Sequence, residues 1–502
     1  MPDALRSPAL WIALLSATLA LAFLGVRGMW DPDEGRYTNV ALNMLDSGDW
    51  LNPRRSHEVG HWTKPPLTYW AIATSIAVFG VNAWAARLPA ALSYLLCVWL
   101  VWRIAARLSP GSERAAATIY ATMAFTFGAS QLITTDYLLA AATTTAMWAF
   151  VEARFGSGAH PTRWIALMWV ALAAAFVTKG PAGLFPLPVV LLFDFLMPGR
   201  REHRALQWTG MVLFVLLALP WYVAVFHGNP GLFQYFIGDE LVNRMTTNEF
   251  GRHAEWYGWV EIYVPTLLVG TLPWTPTLLR WARGLPARVR PWWRNPERRR
   301  DDAHWVLLCL WLLLPMAVFF VARSRMPLYL LPLFGPMAVI AALQWQREGR
   351  GLPRWRWLLA WAALLLALKL VAAWWPTHKN AAAWADAIRA RAPSPITEVV
   401  FVEDMARYGL HLHLGMGTQI EKISLDALRQ PRFNPAYDEP LAVELGEHEV
   451  GVVWICKDTD WPNVRERIEA AGYHATALGS PYQRRVIFRV DRQRGSEAPS
   501  AR

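Results

Sequence analysis

Acids and bases stand at unusual places along this 502-residue chain. Asp31, Asp33 and Glu34 follow the first apolar run, with Arg36 and Tyr37 close behind. Lys64 lies in Thr63-Lys64-Pro65-Pro66, Asp136 in Thr134-Thr135-Asp136-Tyr137, and Lys179 in Thr178-Lys179-Gly180. Further on come Asp239 and Glu240 with Arg244, then Arg323-Ser324-Arg325 before Tyr329. Each set borders an apolar segment. A carboxylate at a lipid boundary is costly to desolvate, so function is the default hypothesis there. Cations at the same depth suit an anionic headgroup. The combination describes acids beside a cationic pocket of phosphate size at lipid depth. Several members also have a structural reading, whereas Asp136 must find a partner in space or sit in a wet cavity. Asp33 and Glu34 can serve a helix N-terminus, Lys64 can snorkel, Lys179 can close a helix C-terminus, and Glu240 can pair with Arg244 one turn on.

The elements that must position these groups are membrane helices. The chain is 54% hydrophobic, holds 30 tryptophans and has only 17% charged residues, where soluble domains carry roughly 25%. Apolar runs long enough to cross a hydrocarbon core recur near 8–27, 83–106, 115–133, 137–153, 163–178, 181–197, 207–226, 259–282, 305–321, 327–345 and 355–375. That gives about 11 crossings, or 13 if short pieces such as 67–79 also cross. The first run lacks a small-residue cleavage site and reads as a retained anchor. The net charge of +11 comes from arginines in short loops, which marks cytoplasmic loops and not a nucleic-acid partner. With the N-terminus cytoplasmic, every arginine-dense loop is inside. Residues 28–82, 134–136, 179–180, 227–258 and 322–326 and the tail then lie on the opposite, external side. All the candidate groups share that face. Cys97, Cys309 and Cys456 are far apart and offer neither a disulfide framework nor a metal site.

From Pro376 onward the character changes. Helices are expected at 381–392 and 461–471, and strands at 398–402, 450–456 and 485–490. The expected domains are a membrane part over 1–375, a soluble periplasmic α/β domain over 376–491, and a disordered polar tail over 492–502. The fold class is thus an all-α polytopic membrane protein with a C-terminal α/β domain. No internal repeat is visible. Phosphate-binding glycine loops and a Gly-x-Ser-x-Gly nucleophile turn are both absent, so a nucleotide-sugar donor is unsupported.

Dispersed motifs occur in order: Asp33-Glu34-Gly35-Arg36-Tyr37, Met44-Leu45 with Ser47-Gly48-Asp49-Trp50, Lys64-Pro65, Tyr69-Trp70 and Ala86-Arg87-Leu88-Pro89 through Ser93. Asp136, Thr178-Lys179-Gly180, Glu240 with Arg244, Leu272-Pro273-Trp274 and Pro327 with Tyr329 and Pro332 follow. On these the chain resembles the polyprenyl-phosphate-sugar glycosyltransferases of the GT-C fold. That group includes the protein O-mannosyltransferases and, more closely, the bacterial lipid A aminoarabinose transferases. The resemblance implies an inverting transfer from an undecaprenyl phosphate sugar at the periplasmic face of the inner membrane, with aminoarabinose and lipid A, a part of lipopolysaccharide, as one pairing. It implies that Asp33, with Glu34 beside it, and Asp136 are catalytic acids, and that Lys64, Arg244 and Tyr329 hold the lipid phosphate. Arg36, Lys179, Glu240 and Arg325 are supporting residues. In the aminoarabinose transferases a Glu before the motif lysine and a His after the motif glutamate can hold zinc. Here Thr63 and Leu241 stand there, so no metal and no cofactor are expected. Another glycan, or a protein as in a protein O-mannosyltransferase-like enzyme, is the alternative acceptor. A lipid-linked-sugar flippase and a non-catalytic lipid-binding scaffold are the rivals from other classes. The flippase fits the one-sided acids less well, and the retention of both Asp33 and Asp136 argues against the scaffold.

Overall fold

The computed structural model describes residues 7–158, 160–238, 252–427, 430–447 and 449–492. The chain is mostly helical and divides into two units. One comprises Met1–Leu24, Lys64–Thr68 and Arg87–Val371; the other comprises Gly25–Thr63, Tyr69–Ala86 and Ala372–Arg502.

In the first unit, among the described residues, helices occupy every apolar segment expected to cross. Six are long and apolar enough to span a membrane by themselves, which makes this a multi-pass membrane protein. Trp355–Trp374 has only 11% of its apolar window buried, as befits a helix whose surroundings are lipid. Three expectations need correcting. Among the described residues six helices, or seven if one bent pair is a single span, are long and apolar enough to cross, against about 11 expected, because runs such as Pro8–Leu21 and Pro186–Leu196 form shorter helices. The run over 115–133 is not one helix but two, Glu113–Thr122 and Ala124–Ala129, because Met123 is extended (φ −61°, ψ 130°). There the Ala124 N–H donates to the Leu272 carbonyl at 3.1 Å instead of to the turn before it. The run over 259–282 is likewise broken. Gly258–Gly270 and Thr275–Arg294 meet at 116°. Pro273 cannot donate a helical hydrogen bond, and Trp274 is held by its indole N–H on the Thr122 hydroxyl at 2.9 Å. Leu67–Phe79 is helical but only 13 residues long.

The second unit is built on a six-stranded sheet: β1 Glu398–Val402, β2 Gln419–Ser424, β3 Glu439–Pro440, β4 Val452–Lys457, β5 Tyr473–Ala477 and β6 Arg485–Arg492, in the order β3-β2-β1-β4-β6-β5. β1 runs parallel to β2 and β4, and β2 to β3; β6 runs antiparallel to β4 and β5. Every residue of β1 is buried, as expected of a central strand covered on both faces. Val399 and Phe401 pack on one side with Trp384 and Ile388 of the Ala381–Arg389 helix. Val400 and Val402 pack on the other with Leu441, Leu445, Val464 and Ile468. Strands β2, β3 and β5 were not expected. Gln419-Ile-Glu-Lys-Ile-Ser424 carries charges where a buried strand should be apolar, which hides its period of two.

Gly25–Thr63 belongs to this sheet unit and is stitched to the tail by main-chain bonds. The Asp31 N–H donates to the Lys379 carbonyl (3.0 Å) and the Ala381 N–H to the Met29 carbonyl (2.9 Å). Side chains add to this. His411 Nδ1 lies 2.7 Å from Asn39 Oδ1, and Arg55 pairs with Asp438 at 2.8 Å. The expected disordered stretch beyond Arg492 lies outside the described residues.

Candidate active site

The three acids of the first motif meet three different fates. The Asp33–Ser47 helix begins on them, with two carboxylates in its first turn where the macrodipole favours negative charge. It ends at Gly48, whose φ of 70° is the left-handed conformation glycine adopts readily. Glu34 is buried and chelated: its oxygens accept from Arg27 at 2.7 and 2.9 Å and from the Trp30 N–H at 2.9 Å. Arg27 in turn lies over the Trp30 ring at 4.0 Å. Asp33 is different. It pairs with Arg36 at 2.6 Å, yet its side chain remains 45% exposed. A partner this exposed leaves a carboxylate available to other groups.

Asp31 is fully buried and accepts the Gly409 N–H at 3.0 Å across 378 residues. Gly35 sits against this contact, and a β-carbon there would collide with Asp31 Oδ1 and the Gly409 nitrogen. That accounts for glycine in the middle of the motif. Burial pushes the Asp31 carboxyl up to about 7, against the lowering pull of the Gly409 amide and Arg407. The folded protein therefore holds a proton that the unfolded chain releases near pH 4, and stability falls as pH rises from about 4 through 7. The Asp31→Asn variant should lose this slope. Thermal unfolding from pH 5 to 8 checks it: wild type loses stability on the alkaline side, on the order of 2–4 kcal/mol, and the variant changes much less.

In the helical unit, Asp136 opens the Asp136–Phe155 helix and Lys179 closes the Pro161–Lys179 helix. Their side chains meet at 2.5 Å, both largely buried. Each charge faces the favourable end of its own helix dipole. The partner that Asp136 needs is thus Lys179, so capping alone does not describe that lysine. Its ammonium also stands over the Tyr329 ring, 4.7 Å from the centroid, bringing three of the motif residues together. Lys64 is half-buried in the bend before Leu67–Phe79. The Thr63 hydroxyl, at the position of the missing zinc ligand, lies 2.9 Å from His61 Nε2. Glu240, Leu241 and Arg244 lie outside the described residues.

Arg325 departs from expectation. Instead of facing an anion, its guanidinium is buried and donates to the carbonyls of His253 (2.6 Å), Glu255 (2.8 Å) and Phe320 (3.2 Å). A loop carbonyl cluster is what this external arginine answers. Arg27, Arg407 and Gly409, by contrast, carry no local signal that would have marked them. Their partners make them matter, and one of those partners lies hundreds of residues away.

Similarity to known proteins agrees with the fold. Residues 63–224 match the family described as dolichyl-phosphate-mannose-protein mannosyltransferase. An undecaprenyl phosphate-alpha-4-amino-4-deoxy-L-arabinose arabinosyl transferase of Pseudomonas fluorescens is 32% identical over 338 residues, covering 64% of this chain and 56% of that one. The enzyme of the same description from Pseudomonas aeruginosa is 31% identical over 380 residues, 72% of this chain and 65% of its own. The chain thus spans rather more than half the length of the curated relatives it matches. A crystal structure of ArnT from Cupriavidus metallidurans bound to undecaprenyl phosphate superposes with a TM-score of 0.73 over 97% of this chain and 98% of that one, at 18% identity.

Proposed function

From the premise that this chain is an ArnT-like membrane protein of the GT-C fold, we propose that it is an inner-membrane glycosyltransferase. Its donor is a sugar carried on a polyprenyl phosphate, undecaprenyl phosphate first among them, and transfer takes place at the periplasmic face. The observation that carries the proposal is Asp33, the most exposed of three acids whose neighbours are occupied by the protein itself. That exposure supports a carboxylate kept for the acceptor.

In the proposed reaction an acceptor oxygen attacks the anomeric carbon. The bond from that carbon to the lipid phosphate oxygen breaks, and a single displacement inverts the configuration. Charge accumulates on the departing phosphate, so cations there supply the largest electrostatic contribution. Lys64, Arg244 and the Tyr329 hydroxyl take that role. For a hydroxyl acceptor the proton passes to Asp33; for a phosphate acceptor, as on lipid A, none need move and Asp33 orients. Asp136 pairs with Lys179 and fixes that lysine against Tyr329. Arg36 holds Asp33, and Glu240 supports Arg244. Aminoarabinose onto lipid A is the first pairing to try, because the relatives are named for aminoarabinose transfer.

Purified protein in lipid nanodiscs, given undecaprenyl phosphate sugars and a panel of lipid, glycan and peptide acceptors, tests the reading. Release of undecaprenyl phosphate that requires an acceptor and is lost in Lys64→Ala is the expected result. Acceptor-independent movement of intact donor across the bilayer, with no release, would replace it with the transport reading.

A further inference from the structure

Five glutamates converge at one margin of the sheet unit. Glu398 begins β1 and Glu421 lies in β2, on the sheet face that carries Val400 and Ile423. Glu439 is in β3, and Glu444 and Glu447 lie on the Leu441–Glu447 helix. Carboxylate oxygens of Glu398, Glu421 and Glu444 all fall within 4.8 Å of one another, and so do those of Glu439, Glu444 and Glu447. Glu444 belongs to both triads. Acidic clusters on surfaces are common and mean little; this one is not on the surface. Glu398 is 4% and Glu444 5% exposed. Moreover Glu444 Oε2 is wholly buried and has no hydrogen-bond partner, an orphan atom on the residue common to both triads. The groups acting most strongly on Glu398, Glu421 and Glu444 are acidic, Glu398, Glu421, Asp438, Glu439, Glu447 and Glu449, and burial pushes all three carboxyls up. Arg55, which also acts on Glu421, is already paired with Asp438. Such a buried cluster must hold protons or gain a compensating positive charge.

We propose that Glu398, Glu421 and Glu444 form a divalent-cation site that fastens β1, β2 and the Leu441–Glu447 helix together. The donors are all carboxylate oxygen, which selects hard cations over zinc or copper. Among hard cations Ca2+ accepts about six to eight oxygen ligands in flexible geometry, whereas Mg2+ demands a near-ideal octahedron and gives up its waters reluctantly. An all-carboxylate cluster on three separate segments therefore suits calcium better. The site would be structural. It joins segments 398, 421 and 444, which are linked otherwise by strand pairing and by the apolar face behind them.

The test uses the full-length protein in detergent, stripped with EDTA, and CaCl2 as the probe. Calorimetric titration should give one saturable site per chain. Thermal unfolding should rise by about 5 °C at saturation, with a smaller rise for MgCl2. Glu444→Gln and Glu421→Gln, which keep shape and remove charge, should abolish both responses while raising the cation-free midpoint. Wild type that neither binds calcium saturably nor shifts its midpoint overturns the proposal. A shift that survives in both variants overturns it equally. Because the readouts are binding and unfolding, the outcome is independent of whether sugar transfer is observed.

Discussion

Replacing Asp33 with Asn is expected to slow acceptor-dependent release of undecaprenyl phosphate by about 10²–10⁴-fold if the acceptor is a hydroxyl, the usual worth of a positioned general base. The side chain is half exposed and its partner Arg36 is on the same helix, so the fold should survive. A surface pair of this kind contributes little to stability, and the melting midpoint should move by no more than a degree or two. With a phosphate acceptor the loss shrinks to about tenfold, because orientation is lost but no proton transfer is. The size of one ratio, measured against a panel of acceptors, therefore reports acceptor chemistry as well as role. A variant that transfers sugar at the wild-type rate to every acceptor would remove Asp33 from the mechanism.

Its neighbour should behave in the opposite way. Glu34→Ala strips both oxygens from Arg27, which is only 8% exposed and has its guanidinium fixed over Trp30. An uncompensated buried charge of this kind costs about 3–5 kcal/mol, enough to take much of a marginally stable unit with it. The expected readout is poor yield and early aggregation on size exclusion, not a clean kinetic defect. Replacing both partners, as Arg27→Met with Glu34→Leu, should recover folded protein, since removing a buried pair together is far cheaper than halving it. If Glu34→Ala instead yields well-folded protein that cannot turn over, Glu34 has a direct catalytic part and its pairing with Arg27 is secondary.

Adjacent acids thus differ by what surrounds them, and that difference is where the sequence stops being legible. Apolar length located the six helices that are long enough to span a membrane, because burying backbone polar groups in lipid leaves no other structure available. It could not see Met123 or the 116° bend after Gly270. Both depend on partners far along the chain, Leu272 and Thr122. The motif acids were recognisable by type and order. That Asp31 holds a main-chain amide and Glu34 a buried arginine, while Asp33 keeps a half-exposed pairing with Arg36, depends on Gly409 and Arg27. Lys179 was legible as unusual but not as the partner of Asp136, since 43 residues separate them. The glutamate cluster was invisible for the same reason: its members are scattered over β1, β2, β3 and one short helix with no ligand spacing in sequence.

The bond between Asp31 and Gly409 has a bearing on biogenesis. The ribosome delivers the Asp33 turn early and Gly409 late, and at about 5–20 residues per second tens of seconds of synthesis separate them. Throughout that interval the nascent chain inserts its helices while the buried carboxyl of Asp31 still lacks the amide that completes its socket. The Asp31 socket therefore closes only after Gly409 has been made. An interrupted translation product that stops short of Gly409 can carry the first motif into the membrane without the amide that seats Asp31 beside it.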